Sequence, residues 1–182
     1  MRALVLGLTT AAVLASPAWA RPYAVDKSAS RLSFTASMGG QPINGAFRRW
    51  DATIDFDPNS LPTSRASVTV DMSSASTGDG TRDAALPGAD FFSAGKFPRA
   101  TFVTRSITRT GPNRYQAVGD LTMRGVKRPA TLPFTLQLNG NTARMQGRLT
   151  LDRTAFGVGQ GQAGEAVGKS VTVNVDVTAR TR

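Results

Sequence analysis

The sequence predicts an all-β domain of antiparallel strands, and two features indicate this fold class. Apolar and polar residues alternate over short runs, which is the period of a strand with one buried face. Turn-forming residues separate the runs, as in Asp57-Pro58-Asn59-Ser60 and Asn139-Gly140-Asn141. About eight such strands can close as a barrel or stack as a sandwich, and the alternation alone leaves both open.

The predicted strands follow the alternating runs along the chain. In the first run Leu32, Phe34, Ala36 and Met38 share one face. The run 102–108 is the least regular and predicts a β-bulge. The eight runs are 32–38, 50–56, 68–72, 102–108, 115–123, 132–138, 145–151 and 171–179.

Residues 73–100 break the alternation and form a long connection. Residues 79–86 within it predict a short helix. Phe91, Phe92 and Phe97 follow, and three aromatic side chains in one connection are not expected to face water. We therefore expect this segment to fold over one end of the domain.

The first twenty residues have the pattern of a secretory signal peptide. Arg2 supplies the positive start, an apolar run follows, and Ala18-Trp19-Ala20 is a cleavage signal, so we expect cleavage after Ala20. The apolar run is shorter than the roughly 20 residues of a transmembrane helix. We expect one domain over residues 21–182, exported to the periplasm and stabilised without disulfides, because the chain contains no cysteine.

The chain is strongly basic. Its formal charge is +10, and removal of the signal, with Arg2 as its one charge, leaves +9. Such a charge attracts anions, including lipid headgroups and acidic polymers, and it also favours solubility. Nucleic acid is not an expected partner, because most arginines fall at strand ends and turns without an array of exposed stacking aromatics.

Catalytic and metal-binding motifs are poorly represented. The chain has no histidine, which removes the usual proton shuttle and the commonest nitrogen ligand for metals. Asp51, Asp55 and Asp57 are close in sequence, but a solvated strand face explains them without a calcium loop. We therefore expect no catalysis, no metal and no cofactor.

The glycine-rich stretch 157–170 contains two phosphate-binding patterns. Gly159-x-Gly161-x-x-Gly164 matches a dinucleotide fingerprint, and Gly168-Lys169-Ser170 resembles the end of a P-loop. Both chemistries need a following helix. A predicted strand follows here, so a connection between two strands is the favoured interpretation.

Several motifs together resemble the YceI family of exported, lipocalin-like, polyisoprenoid-binding proteins. The resemblance covers nearly the whole mature chain. Its motifs are Tyr23-x-Val25-Asp26, Ser33-Phe34, Gly45-Ala-Phe47, Thr81-Arg82-Asp83, Ala89-Asp90-Phe91-Phe92, Phe97-Pro98-Arg99-Ala100-Thr101-Phe102, Gly119-Asp120-Leu121-Thr122-Met123-Arg124-Gly125-Val126, Pro129 and Asp152-Arg153-Thr154-Ala155-Phe156-Gly157-Val158-Gly159.

The resemblance implies an extended eight-stranded antiparallel lipocalin-like β-barrel with a short helical connection between the middle strands. It also implies an apolar cavity that holds a polyisoprenoid, such as a quinone tail or a polyprenyl phosphate, and no catalysis. Relatives often carry histidine where this chain has Ala29, Met38 and Ala85. A headgroup contact made by those histidines does not carry over.

The expected partner is an apolar, lipid-like ligand, and transient contact with a membrane surface is possible. The sequence allows either a monomer or a homodimer. For its headgroup we expect Arg82, Arg124 or Lys127 near the cavity mouth. The alternative is a solid barrel whose basic surface binds acidic polymers or membranes. The residues expected to line the cavity are Phe34, Met38, Trp50, Ile54, Val70, Leu86, Phe91, Phe92, Phe102, Leu121, Met123 and Phe134.

Overall fold

The computed structural model describes residues 21–181, so the signal sequence expected over residues 1–20 lies outside the described residues. Antiparallel strands make up most of this part of the chain. They are β1 (Arg21–Met38), β2 (Gln41–Phe47), β3 (Trp50–Phe56), β4 (Arg65–Asp71), β5 (Ala75–Ser76), β6 (Arg99–Gly111), β7 (Arg114–Met123), β8 (Val126–Asn139), β9 (Thr142–Asp152) and β10 (Ser170–Thr181).

The strands form one closed ring. Their order is β10-β9-β8-β7-β6-β4-β3-β1-β2-β5, and β1 also pairs with β10, which closes the sheet on itself. β2 and β3 are consecutive and both pair with β1, so they occupy one position in the ring. β5 adds a short extension beside β2. The fold is therefore an eight-stranded antiparallel barrel, which resolves the choice between barrel and sandwich.

Two features of the ring differ from the sequence expectation. β1 begins at Arg21, eleven residues before the first alternating run, because a bulge after Asp26 interrupts its periodicity. β2 was missed, since Pro42 and Gly45 are poor strand formers. Gly45 has a packing reason, because a Cβ there would lie 2.3 Å from the Phe34 ring. The bulge expected in β6 is confirmed by a register shift between Thr104 and Ser106.

Helices are few and lie in the connections. α1 (Gly80–Ala85) begins after Asp79, whose side chain accepts a hydrogen bond from the Arg82 amide. This confirms the helical connection expected between the middle strands. α2 (Gln162–Glu165) precedes β10. Three 3₁₀ helices span Leu61–Thr63, Met72–Ser74 and Arg153–Phe156.

The barrel has two different ends. At the end that we name the capped end lie the β1–β2 hairpin, the connection 72–98, the β7–β8 turn and the connection 153–169. At the opposite end, the turn end, lie the connection 57–64 and the tight turns at 112–113 and 140–141. Each end has its own cluster of buried side chains, one around Met72, Phe92 and Phe156 and the other around Tyr115 and Phe134.

Arg153 organises the connection between β9 and β10 at the capped end. Its side chain is 6% exposed, and its guanidinium donates hydrogen bonds of 2.5 to 2.9 Å to five backbone carbonyls. These carbonyls belong to Val158, Gly159, Gly164, Val167 and Gly168. A Cβ at Gly159 would lie 2.2 Å from the guanidinium nitrogen, so the glycine leaves room for the side chain. The glycine-rich stretch is thus a loop wrapped around a buried cation.

Replacement of Arg153 by methionine should destabilise the protein strongly. The substitution leaves several buried carbonyls without donors, and each unsatisfied buried group costs about 1–3 kcal/mol. We expect the free energy of unfolding to fall by at least about 2 kcal/mol, and the thermal midpoint by about 4–8 °C.

The matched control is Arg128→Met, since Arg128 is exposed and donates one bond, of 2.8 Å, to the Ala155 carbonyl of the same connection. Its thermal midpoint should change little. Equal midpoints for Arg153→Met and the wild type, measured by circular dichroism, would show that the loop does not depend on the buried cation.

Candidate ligand-binding cavity

An apolar cavity of about 200 Å³ lies inside the barrel between the two buried clusters. Every strand position of the ring contributes to its wall. On β10 the lining side chains run from Val173 to Ala179, which corresponds to roughly 20 Å of strand at 3.3 Å per residue. The cavity is therefore long relative to its volume, and its cross-section is narrow.

The two sides of the cavity are packed differently. On β3 and β4 the inward-facing side chains of Ile54, Val68 and Val70 remain only partly buried. Because these residues point into the barrel, their remaining surface faces the cavity. On β7 and β8 the corresponding Ala117 and Leu132 are 4% and 8% exposed. Leu149 on β9 and Val173 on β10 are also only partly buried, so the free space borders β3, β4, β9 and β10, while the β7–β8 wall is packed more tightly at Ala117 and Leu132.

The lining is almost entirely hydrocarbon. Among the described residues, no charged side chain lines the cavity, and the hydroxyl of Thr104 is engaged by the Ala66 amide at 2.8 Å. Met72, Met123 and Met145, three of the chain's five methionines, are part of the wall. Methionine is flexible and fills irregular spaces, so the wall can adapt to different apolar shapes. Such a lining selects by hydrophobicity and width rather than by hydrogen bonds.

The volume restricts what fits without rearrangement. An apolar protein cavity of roughly 150 Å³ stays dry and takes up benzene, whereas drug-sized ligands occupy about 300–1,000 Å³. A cavity of 200 Å³ therefore suits a slender chain segment. The interior of the barrel therefore contains free space.

The expected lining residues divide into two groups. Seven of them lie on the cavity wall. These are Trp50, Ile54, Val70, Phe102, Leu121, Met123 and Phe134. Their role in ligand binding stays a prediction.

The other five expected residues lie outside the cavity wall, at the capped end. Phe34 packs on Gly45 and against Phe47, with ring centroids 5.2 Å apart. The Phe92 ring also contacts Phe47, with ring centroids 6.1 Å apart, and Leu86 and Phe91 pack on the same cluster. Met38 lies in the β1–β2 hairpin and is 37% exposed, because its strand continues beyond the cavity.

Sequence reasoning missed other wall residues. Tyr23 and Leu32 on β1 and Phe47 on β2 line the cavity. Tyr23 and Phe47 lie where the strand pattern was not recognised, while Leu32 belonged to the first alternating run and was not selected. Met72, directly after β4, continues the alternation of that strand and is 2% exposed, so the alternating pattern also predicts an inward side chain there.

The connection 77–98, which we name the cover, closes the capped end as expected from its aromatic residues. Arg124 donates to the carbonyl of Ala89 at 2.8 Å and to that of Phe91. The amides of Gly159 and Gln160 donate to the Asp90 carbonyl at 2.7 and 2.9 Å. The cover is therefore attached to the β7–β8 turn and to the loop around Arg153.

The three expected headgroup residues all belong to this capped end. Arg124 is engaged by carbonyls of the cover, and Arg82 forms an ion pair with Asp79 at 3.5 Å and donates to the Thr77 hydroxyl. Lys127 is exposed at the start of β8. None of the three residues lines the cavity, so a headgroup role for them stays a prediction.

The remaining motifs are accounted for by local structure. The Asp57 carboxylate accepts the Asn59 amide of a turn, and Asp51 forms an ion pair with Lys27. Within residues 21–181 no group of three His, Cys, Asp or Glu side chains could hold a metal ion. Over the same residues no helix is long and apolar enough to cross a membrane. Ala29, Met38 and Ala85 are all exposed.

A depression of about 640 Å³ lies on the outer surface of the barrel. It crosses β1, β10, β9 and β8, and polar side chains dominate it. Arg31, Arg114 and Arg148 contribute positive charge, but Asp176 lies in the same groove and pairs with Arg144 at 2.8 Å. The groove is therefore of mixed charge, unlike the apolar interior.

A closed eight-stranded barrel around an uncharged cavity defines a barrel ligand-binding protein. Comparison with known proteins gives the family. A family model described as a YceI-like domain matches residues 23–179, and the chain belongs to this family.

Similar proteins span most of the chain. A UPF0312 protein of Pseudomonas syringae pv. tomato is 31% identical over 183 residues, covering 95% of this chain and 92% of that protein. The crystal structure of Burkholderia cenocepacia BcnA superposes with a TM-score of 0.82 at 32% identity, covering 85% of this chain and 99% of that one. A polyisoprenoid binding domain from Saccharophagus degradans has a TM-score of 0.71 and covers 89% of this chain and 99% of that one. At 15% identity this last likeness shows the fold alone.

Stability of the cover should depend on pH through Asp83. The Thr77 amide, at 2.6 Å, and the Ser76 hydroxyl, at 2.7 Å, donate to this carboxylate and lower its pKa from 3.8 to about 2. A lowered pKa in the folded state stabilises the fold above the unfolded pKa, and this is lost as the pH falls through the folded value. Asp83→Asn should therefore lower the thermal midpoint at pH 7, and the difference from the wild type should shrink between pH 4 and pH 2. A difference that stays constant over that range would contradict this role.

Proposed function

We propose that the protein binds a polyisoprenoid, or another long apolar amphiphile, in the barrel cavity and carries or sequesters it in the cell envelope without catalysis. The observation that carries this proposal is the cavity itself, which is long, narrow and uncharged along its described wall. A ligand for such a space is a slender hydrocarbon chain. The expected signal sequence supports export to the periplasm as part of the same proposal.

The driving force of binding is burial of the chain. Removing a methylene from water is favourable by about 0.8 kcal/mol, so a few isoprene units give useful affinity without a polar anchor, even after the cost of association. The cavity of about 200 Å³ accommodates the end of such a chain, and the methionines of the wall supply adaptability for more. The description of the Saccharophagus degradans neighbour as polyisoprenoid binding supports this ligand class.

The headgroup of the ligand lies outside the apolar cavity in this proposal. A quinone and a polyprenyl phosphate both fit, because the chain rather than the headgroup supplies the affinity. Arg82, Arg124 and Lys127 are candidates for an anionic headgroup, with Lys127 the most accessible of the three. Transient contact with a membrane surface would allow the protein, as a monomer or a homodimer, to take up its ligand.

Native mass spectrometry of the protein purified from the periplasm, followed by organic extraction, tests the proposal. We expect a bound species with the mass of a prenyl lipid. Protein that carries no lipid and also refuses added quinones and polyprenyl phosphates would contradict the proposal. Binding of acidic polymers that weakens steeply with salt would then favour the basic surface instead.

Filling part of the cavity should weaken binding while the fold is kept. Val68 is on the wall in β4, opposite Phe102, and Val68→Phe places a ring in the free space. Displacing two methylenes of the ligand corresponds to about a tenfold loss of affinity or more. The control is Val103→Phe on β6, where Val103 is 47% exposed on the outer face. Fluorescence titration with a short-tailed quinone should show weaker binding for Val68→Phe only, and equal losses for both variants would contradict the cavity as the site.

A further inference from the structure

The ring of backbone pairing has a gap in its middle, between β1 and β2–β3. Leu32 pairs with Phe47 on one side of the gap and Tyr23 with Ile54 on the other. Between these pairs lie residues 24–31 of β1 and residues 48–53 opposite, and no strand register joins these two stretches within the described chain. The ladder of the barrel is therefore interrupted at this position.

The backbone on both sides of the gap is engaged elsewhere. The Arg48 amide donates to the Ser74 carbonyl, and the Arg49 carbonyl accepts from the Asp71 amide, so both face away from β1. On β1 the Asp26 carboxylate accepts the amides of Ser28 and Ala29 at 3.1 and 3.2 Å, which holds the bulge. The gap is thus built by specific contacts on each side.

Each end of the barrel has a cluster of buried side chains, whereas the gap lies along the side of the cavity. The capped end has the cluster around Met72 and Phe92, and at the turn end Tyr115 stacks on Phe134 with ring centroids 5.4 Å apart. Residues that border the gap, including Leu32 and Trp50, line the cavity. The gap between β1 and β3 is therefore an interruption of the backbone pairing directly beside the cavity.

One side chain bridges the gap. Lys27, in the bulge of β1, donates to the Trp50 carbonyl and forms an ion pair of 3.0 Å with Asp51. Its ammonium also lies 4.0 Å from the centre of the Trp50 ring. The Lys27 and Asp51 side chains are 46% and 90% exposed, and exposed ion pairs are weak. The bridge can therefore release without disturbing the paired strands.

We propose that the gap is the portal through which the apolar chain of the ligand reaches the cavity, and that Lys27 is the gate that closes it over Trp50. This rests on the proposed function, since it assumes that a chain occupies the cavity. When Lys27 swings into solvent, the Trp50 ring loses the ammonium that lies over it and can turn aside on the flank of the gap. The chain then passes between two strands without unfolding the cover.

A gate changes how fast a ligand enters and leaves, but it leaves the affinity nearly unchanged. Lys27→Ala removes the hydrogen bond, the ion pair and the ring contact together, so the association and dissociation rate constants should both rise about three- to tenfold. The dissociation constant should stay within about twofold, because both rates change by the same factor. Lys27→Arg keeps a cation over the ring and should stay near the wild-type rates.

Trp50 itself reports the event. The chain has two tryptophans, Trp19 and Trp50, so the full chain carrying Trp19→Phe retains Trp50 as its one indole fluorophore. A benzoquinone with a two-isoprene tail, which quenches indole fluorescence, is mixed with this protein in a stopped-flow instrument. The matched control is Lys96→Ala, since Lys96 lies 5.4 Å from the Phe97 ring in the cover and its loss affects the capped end instead.

The outcomes separate the portal from the proposed function. Faster binding and release in Lys27→Ala, with unchanged rates in Lys96→Ala, support the portal. Unchanged rates in Lys27→Ala despite saturable quenching in the parent protein would overturn the portal and leave the cavity as the site. Faster rates in Lys96→Ala alone would move the route to the capped end. If Lys27→Ala binds the quinone less tightly but associates at the wild-type rate, Lys27 is a ligand contact rather than a gate. If the parent protein shows no saturable quenching, both the portal and the proposed function are overturned.

Discussion

Pairing between β1 and β10 is the interaction on which the rest of this structure depends, because it converts an open sheet into a barrel with an inside. β1 meets β10 along one edge on both sides of its bulge, while its other edge is divided between β3 and β2. A closed ring has no exposed strand edges to protect. The register of β1 shifts at the bulge after Asp26, where the alternation of the sequence also fails.

Closure by itself does not produce a cavity, since eight strands enclose a space that side chains can fill. Here the large aromatic side chains are committed to the two ends, as in the contacts of Phe47 with Phe34 and Phe92 at one end and of Tyr115 with Phe56 and Phe134 at the other. The middle of the β3–β4 wall has alanine and valine instead, including Ala52, Ala66 and Val68. The placement of residue size along the barrel therefore decides where free space remains.

The strand pattern predicted the barrel because inward side chains are buried at every second residue, and the runs on β7, β8 and β9 follow that rule closely. Wall residues such as Ile54 and Leu121 could be predicted for the same reason. Phe34 and Phe92 were predicted to line the cavity because aromatic character does not distinguish a wall from a plug. Lys27 and Arg153 depend on contacts between distant segments, which alternation and composition do not describe. The family motif contained Arg153 without indicating that it would be buried.

The loop around Arg153 has a consequence for protein engineering. The buried guanidinium holds its backbone through carbonyl contacts, and the buried side chains of Phe156 and Val158 anchor its first part in the core. Gln162, Ala163 and Glu165, in contrast, are exposed. This stretch is accordingly suited to carrying a grafted recognition peptide or an affinity label, displayed on the surface from a rigid base while the interior of the barrel keeps its own chemistry.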